Sequence, residues 1–466
     1  MKTRNFFILI IIGTIALVIF SWLTHPKQTP WTINNFINSM TTEKKKPSLN
    51  DTLSISSTKK LKRDDRATKT QPKPTKKKKT FSFPPPLYSV VPNKWYYSKT
   101  FDRFGQRKPK CQAIRHGIPE EVQFIKKTLS LASNRTYLND LVLRELTEVC
   151  DNKLYDSYAH EATKNQREEE EYPISFGVYI NEGGEQTEQF LHRIYRPYNY
   201  YCLKLSSQLS KPFHQAMVNI ANCLKNVHVV KLPDVVHDEH KKIDSDLQCI
   251  KKLRNYKWKY YINIQDNDYP LVTNLKLVQY LKSLNGYNAI NSRASKEIIS
   301  KKTPATESNS KTPSNVPAVN VEKLKQATGG KLYVGDDIFI ATSSFCNFVI
   351  QNSIASELQN YLKNVRKPEI YYWATLQRIS DIPGGYGHKE SSKTYDYNIR
   401  LVKKRSDNIA CHGSWNINNI CTYGSGDLKW IYDEKHAGFL FAGTFSIKLD
   451  HVIVDCIESF KRLYAK

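Results

Sequence analysis

Four short apolar runs punctuate the middle of the chain: "ISFGVYI" (174–180), "YYCLKL" (200–205), "VHVVKL" (227–232) and "YYINIQ" (260–265). Their length and β-branched or aromatic content predict strands. Between them the apolar positions change to a helical period, in "EQFLHRIY" (188–195), "PFHQAMVNIANCLK" (212–225) and "DSDLQCIKKLR" (244–254). A glycine turn at Gly183-Gly184 separates the first strand from its helix. Two more helices are predicted upstream, "PEEVQFIKKTLSLA" (119–132) and "YLNDLVLRELTEVC" (137–150), both with acidic residues early. Strand–helix alternation at this spacing implies a parallel sheet covered by helices on both faces. Ligands of such sheets bind beyond the carboxyl ends of the strands, where Asp266 and Asp268 emerge. Residues 295–331 are polar and low in complexity and read as a long exposed loop. Structure is expected to resume with "LYVGDDIFIAT" (332–342) and helices near 351–363 and 369–378.

The amino-terminal part follows other rules. Residues 6–24, "FFILIIIGTIALVIFSWLT", carry no charge, and as a helix they would reach about 28 Å, enough for a hydrocarbon core. Lys2 and Arg4 precede the run and no Ala-x-Ala follows it, which favours an uncleaved signal anchor over a cleaved signal peptide. A net charge of +26 would ordinarily suggest a nucleic-acid partner. Much of that charge lies in "KKLKRDDRATKTQPKPTKKKK" (59–79), outside any apolar pattern, and behind an anchor it reads as a solvated, self-repelling stem. The expected organisation is a cytosolic tail (1–5), a transmembrane anchor (6–24), a basic and proline-rich stem (25–105) and a lumenal domain (106–466). Nine cysteines without a CxxC pair fit disulfides in an oxidising compartment better than zinc. Asn50-Asp-Thr and Asn134-Arg-Thr are glycosylation acceptors if they face that lumen.

Several segments, in order, resemble one family. They are "IYRPYNYYCLKL" (194–205), "VNIANCLKNVHVV" (218–230), "DLQC" (246–249), "WKYYINIQDNDYPLVTN" (258–274), "YYWATLQRISDIPG" (371–384) and "CTYGSGDLKWI" (421–431). Together they resemble the core-2/I-branching β-1,6-N-acetylglucosaminyltransferases, with the related peptide O-xylosyltransferases. The resemblance implies a GT-A-like fold, a Rossmann-like mixed sheet with helices on both faces, behind a type II anchor in the Golgi membrane. It implies inverting transfer of N-acetylglucosamine from UDP-GlcNAc to a glycan or glycoprotein acceptor, without a divalent metal or other cofactor and without nucleic acid. Family-like disulfides would be Cys111–Cys456, Cys150–Cys223, Cys202–Cys249 and Cys411–Cys421, leaving Cys346 over.

Inverting transfer needs a base for the acceptor proton and positive charge for the departing diphosphate. The family's base is a glutamate in a Pro-Asp-Glu segment, and here the corresponding position is Ile370. The carboxylate stands one residue earlier, at Glu369, which is the candidate base or a helix-opening residue behind Pro368. The family's diphosphate-binding arginine and lysine correspond to Asn418 and Thr444. A donor-side aspartate is Ser206 and an acceptor-side glutamate is Asn291. Asp268 matches the family's aspartate, and Gly424, Gly426 and Asp427 its glycine loop, so these four are the expected donor-binding residues. Asp266 has two readings, a turn carboxylate or half of a metal pair with Asp268. His237-Asp238-Glu239-His240 reads as a polar loop, because adjacent side chains do not share a helix face. Lys429, Lys435 and Lys448 are candidate replacements for the lost cations, or members of a solvated face. The departures keep two alternatives open, a weakened or inactive glycan-binding relative and a xylosyltransferase-like enzyme.

Overall fold

The computed structural model describes residues 107–131, 138–150, 166–232, 241–300, 319–363, 365–387 and 393–464. The expected anchor at 6–24, the expected stem, Asn50, Asn134 and the 237–240 cluster lie outside the described residues.

The apolar runs form the centre of the molecule. Strands β1 (Ile174–Ile180), β2 (Tyr200–Leu205), β3 (Val227–Lys231) and β4 (Tyr260–Gln265) pair in parallel. After β4 the chain forms β5 (Asp268–Pro270), β6 (Arg293–Ile298) and β7 (Lys331–Val334). It then returns as β8 (Phe339–Thr342), antiparallel to β4, and the sheet order is β3-β2-β1-β4-β8. Because both faces are covered, β1 and β4 are buried along nearly their whole length, which is why their sequences do not alternate.

Side chains sort by strand parity onto two cores. Phe176, Val178, Ile262 and Ile264 join one face, while Tyr261, Phe339 and Trp373 join the other. Gly177 is required where it stands: a Cβ there would sit 1.7 Å from the Tyr261 hydroxyl. A smaller sheet follows, built from β9 (Arg400–Leu401), β12 (Phe441–Gly443) and β5 in the order β5-β12-β9. The hairpin β10 (Ser414–Trp415) and β11 (Cys421–Thr422) projects nearby in sequence.

All four expected disulfides form, and Cys346 is the buried free thiol. Cys202–Cys249 ties β2 to the helix Lys241–Leu253, and Cys111–Cys456 joins the helix Cys111–Arg115 to the last helix, His451–Tyr464.

Three expectations need correction. The stretch 295–331 is not wholly a loop, since its ends contribute β6, the helix Val321–Thr328 and β7. Asn320 caps that helix, Leu324 buries its face and Gly329 closes it in the left-handed region. Residues 301–318 lie outside the described residues. The helix after β1 begins at Gly184, four residues before the expected start, and the turn leading into it is held by Asp266, described below. The helix expected near 351–363 is the second of a pair, Ser343–Gln351 and Ser353–Tyr361, because Asn352 ends the first in extended backbone while its side chain caps the second.

Candidate active site

The carboxyl ends of β1 and β4 open into a polar recess walled by the helix Lys241–Leu253, the turn before β8 and the start of the helix Glu369–Leu376. Its floor is charged. Lys204 of β2 lies in a strand covered on both faces, so it needs an internal partner. It finds Asp246, with Nζ 2.6 Å from Oδ1, and also donates to Asn263 Oδ1. Burial pushes the Lys204 ammonium down and the Asp246 carboxyl up, toward their neutral forms, and their contact opposes both shifts.

Above this floor one lysine serves two carboxylates. Lys242 Nζ donates to Asp337 Oδ2 at 2.9 Å and lies 3.4 Å from Glu369 Oε1. Its ammonium also faces the Tyr179 ring, 5.6 Å from the centroid. Gln265 Nε2 donates to Asp337 Oδ2 at 3.3 Å, and Asn263 Nδ2 donates to the Asp337 carbonyl at 2.8 Å. The Asp337 side chain is 26% exposed and that of Glu369 only 8%. Their environments push the two acids apart. Burial raises the Glu369 carboxyl above its ordinary range, with Lys242 pulling it back. Burial also works against the Asp337 carboxylate, but Lys242 and Arg400 outweigh it and hold that carboxyl low. A divergent pair of acids is the arrangement from which one fold obtains a base beside a permanent anion.

The two aspartates after β4 have separate duties. Asp266 is fully buried and accepts from the amides of Asn181 and Glu182, each at 3.3 Å, and from the Thr187 hydroxyl at 3.0 Å. It thereby holds the turn that leads into the helix Gly184–Ile194 and the Thr187 side chain within it. Asp268, also fully buried, is held by Arg400 Nε at 2.6 Å and by the Gln265 amide at 3.0 Å. Gly443 leaves room for that ion pair, since a Cβ there would lie 2.0 Å from Asp268 Oδ1. The two carboxylates therefore point at different protein donors.

The glycine loop is likewise hydrogen-bonded within the protein. The Gly424 amide donates to Asp427 Oδ2 at 3.0 Å and the Ser425 amide to Asp450 Oδ2 at 2.6 Å. Asp427 is fully buried against Lys403 Nζ and the His412 amide. Gly426 is constrained by the His412 ring, which a Cβ would meet at 2.7 Å. Asp268, Gly424, Gly426 and Asp427 thus hold the frame of the site, and none lines the recess. Among the described residues the group closest to metal spacing is Cys411, Cys421 and Asp427, and its two sulfurs are spent in a disulfide.

The positions that depart from the family pattern also have places. Ile370 gives its carbonyl to the Gly335 amide at 2.8 Å. Asn418 lies exposed on the turn of the β10–β11 hairpin. Thr444 is buried and shares a hydroxyl contact of 3.1 Å with Thr422. Asn291 donates to Asp336 and accepts from the Tyr397 amide, both at 2.7 Å. The amide of Ser206 reaches back to the Ile180 carbonyl at the end of β1. Lys429 packs across Gly117, and Lys435 and Lys448 are exposed; none of the three lines the recess. Glu369 alone among the expected site residues is in it. Sequence reasoning missed Lys204, Lys242, Asp246 and Asp337, although a lysine within an apolar strand run is a signal that a buried acid must be near.

Comparison with known proteins now supplies the class. The Core-2/I-Branching enzyme family model matches residues 174–432, from the first strand of the large sheet to just past the glycine loop. The chain belongs to this family. It is 28% identical over 380 residues to the mouse protein named beta-1,3-galactosyl-O-glycosyl-glycoprotein beta-1,6-N-acetylglucosaminyltransferase 3, covering 77% of this chain and 81% of the relative. It is 29% identical over 310 residues to the bovine beta-1,3-galactosyl-O-glycosyl-glycoprotein beta-1,6-N-acetylglucosaminyltransferase, covering 64% and 71% respectively. The human N-acetyllactosaminide beta-1,6-N-acetylglucosaminyl-transferase is also 29% identical, over 309 residues, covering 64% and 75%.

Proposed function

We propose that the chain is an inverting β-1,6-N-acetylglucosaminyltransferase that moves the sugar of UDP-GlcNAc onto a hydroxyl of an O-glycan, held in the Golgi membrane by residues 6–24 with its folded part in the lumen. Glu369 takes the acceptor proton as the acceptor oxygen attacks the anomeric carbon and UDP departs. The observation that carries this reading is the seat of Glu369, inside the recess at the strand ends and 3.4 Å from Lys242. Four disulfides support an oxidising lumen. No divalent ion enters the proposal, because the carboxylates of Asp266 and Asp268 are taken by protein donors.

Incubating the purified full chain with UDP-GlcNAc and a β-1,3-galactosylated O-glycan tests it. A β-1,6-linked product that forms equally well in EDTA is expected. Transfer from UDP-xylose to a serine peptide instead would replace the reading. A second reading has its own observation: Ile370, Asn418 and Thr444 put no charge where the family places base and cations. Glycan binding by calorimetry with neither transfer nor donor hydrolysis would establish a non-catalytic relative.

A further inference from the structure

We propose that Lys242, anchored on Asp337, is a positioning residue that sets the charge state of Glu369. The proposal rests on the reading of Glu369 as the base and adds what governs it. Lys242 reaches both acids from the first turn of the helix Lys241–Leu253, and three contacts fix its ammonium: Asp337 at 2.9 Å, Glu369 at 3.4 Å and the Tyr179 ring. The nearer partner is the more exposed acid, and the farther one is the buried candidate base. The other ionisable groups lining the recess are Tyr179, Lys204 and Asp246, and the last two already satisfy each other. Beside the burial that raises the Glu369 carboxyl, Lys242 favours its charged form and Asp337 its neutral one.

This arrangement has a chemical use. During transfer the acceptor O–H bond breaks and its proton goes to a Glu369 oxygen. The acceptor oxygen bonds to the anomeric carbon, and the carbon–phosphate-oxygen bond breaks with its electron pair leaving on UDP. Glu369 then becomes neutral. Were it the only partner of Lys242, a partly buried cation, 34% exposed, would lose its counter-charge at that moment, at a cost. Asp337 keeps the ammonium paired before and after the proton moves.

The two neighbours act on Glu369 with opposite sign, which a merely structural role does not produce. Removing the cation with Lys242→Met raises the Glu369 midpoint by at least ~1 unit, the size of a close opposite charge. Removing the competing anion with Asp337→Asn lowers it, and Lys242→Arg stays near wild type. Carbodiimide labelling of the full chain across pH, read at the Glu369 peptide by mass spectrometry, reports these midpoints without turnover. In the transfer assay the acid limb of kcat/KM moves to higher pH in Lys242→Met and to lower pH in Asp337→Asn. An unmoved midpoint, or shifts in the same direction, overturns the proposal. If Lys242→Met does not fold, Asp337→Asn decides alone, and a midpoint at or above wild type is fatal. Midpoints that move as stated in a protein without transfer leave this inference standing and sink the function.

Discussion

Glu369 opens its helix behind Pro368 and also faces the recess, so capping and chemistry are not competing roles for this carboxylate. Glu369→Gln keeps the shape and removes the proton acceptor. Turnover should fall at least ~100-fold while the thermal midpoint stays near wild type. Unchanged turnover would take the base role from Glu369. At this scale the site was only partly legible. Glu369 can be found because it stands just ahead of Trp373-Ala374-Thr375. Lys242 and Asp337 are 95 positions apart in the chain, and each reads locally as an ordinary polar residue. Only the closure of β8 onto β4 brings them to one ammonium–carboxylate distance.

The secondary elements explain why the frame was easier to read than the site. Strands β1, β2 and β4 match their apolar runs residue for residue, since strands covered on both faces read as near-continuous apolar runs. By contrast β9 to β12 are two or three residues long, too short for any period to register, and β9 and β12 form by pairing with distant partners. The start of the helix Gly184–Ile194 was illegible for a related reason. Its anchor, Asp266, comes from another strand end some eighty residues later. Burial pushes the Asp266 carboxyl from 3.8 up to about 7, against the hydrogen bonds it accepts. A carboxyl raised on folding stabilises when protonated, so its contribution is full below about pH 4 and is lost as the pH climbs through about 7. Asp266→Asn removes the titration, so the variant's urea-unfolding free energy should decline less than wild type between those values. Parallel pH curves for the two proteins would show that Asp266 does not titrate there.

For the whole molecule, covalent closure is set by two very different loops. Cys111–Cys456 spans 345 positions and Cys411–Cys421 spans only 10. A cross-link stabilises chiefly by restricting the unfolded chain, and more so for the longer loop. Replacing Cys111 and Cys456 together by serine should cost about 2–5 kcal/mol in urea unfolding, more than the same change at Cys411 and Cys421. Equal losses would assign the stability to local packing instead. The long bond has a further effect. Between positions 111 and 456 the polypeptide is a closed ring, so one proteolytic nick within it releases nothing. A clipped enzyme would migrate as a single species on a gel until a reductant parts it in two.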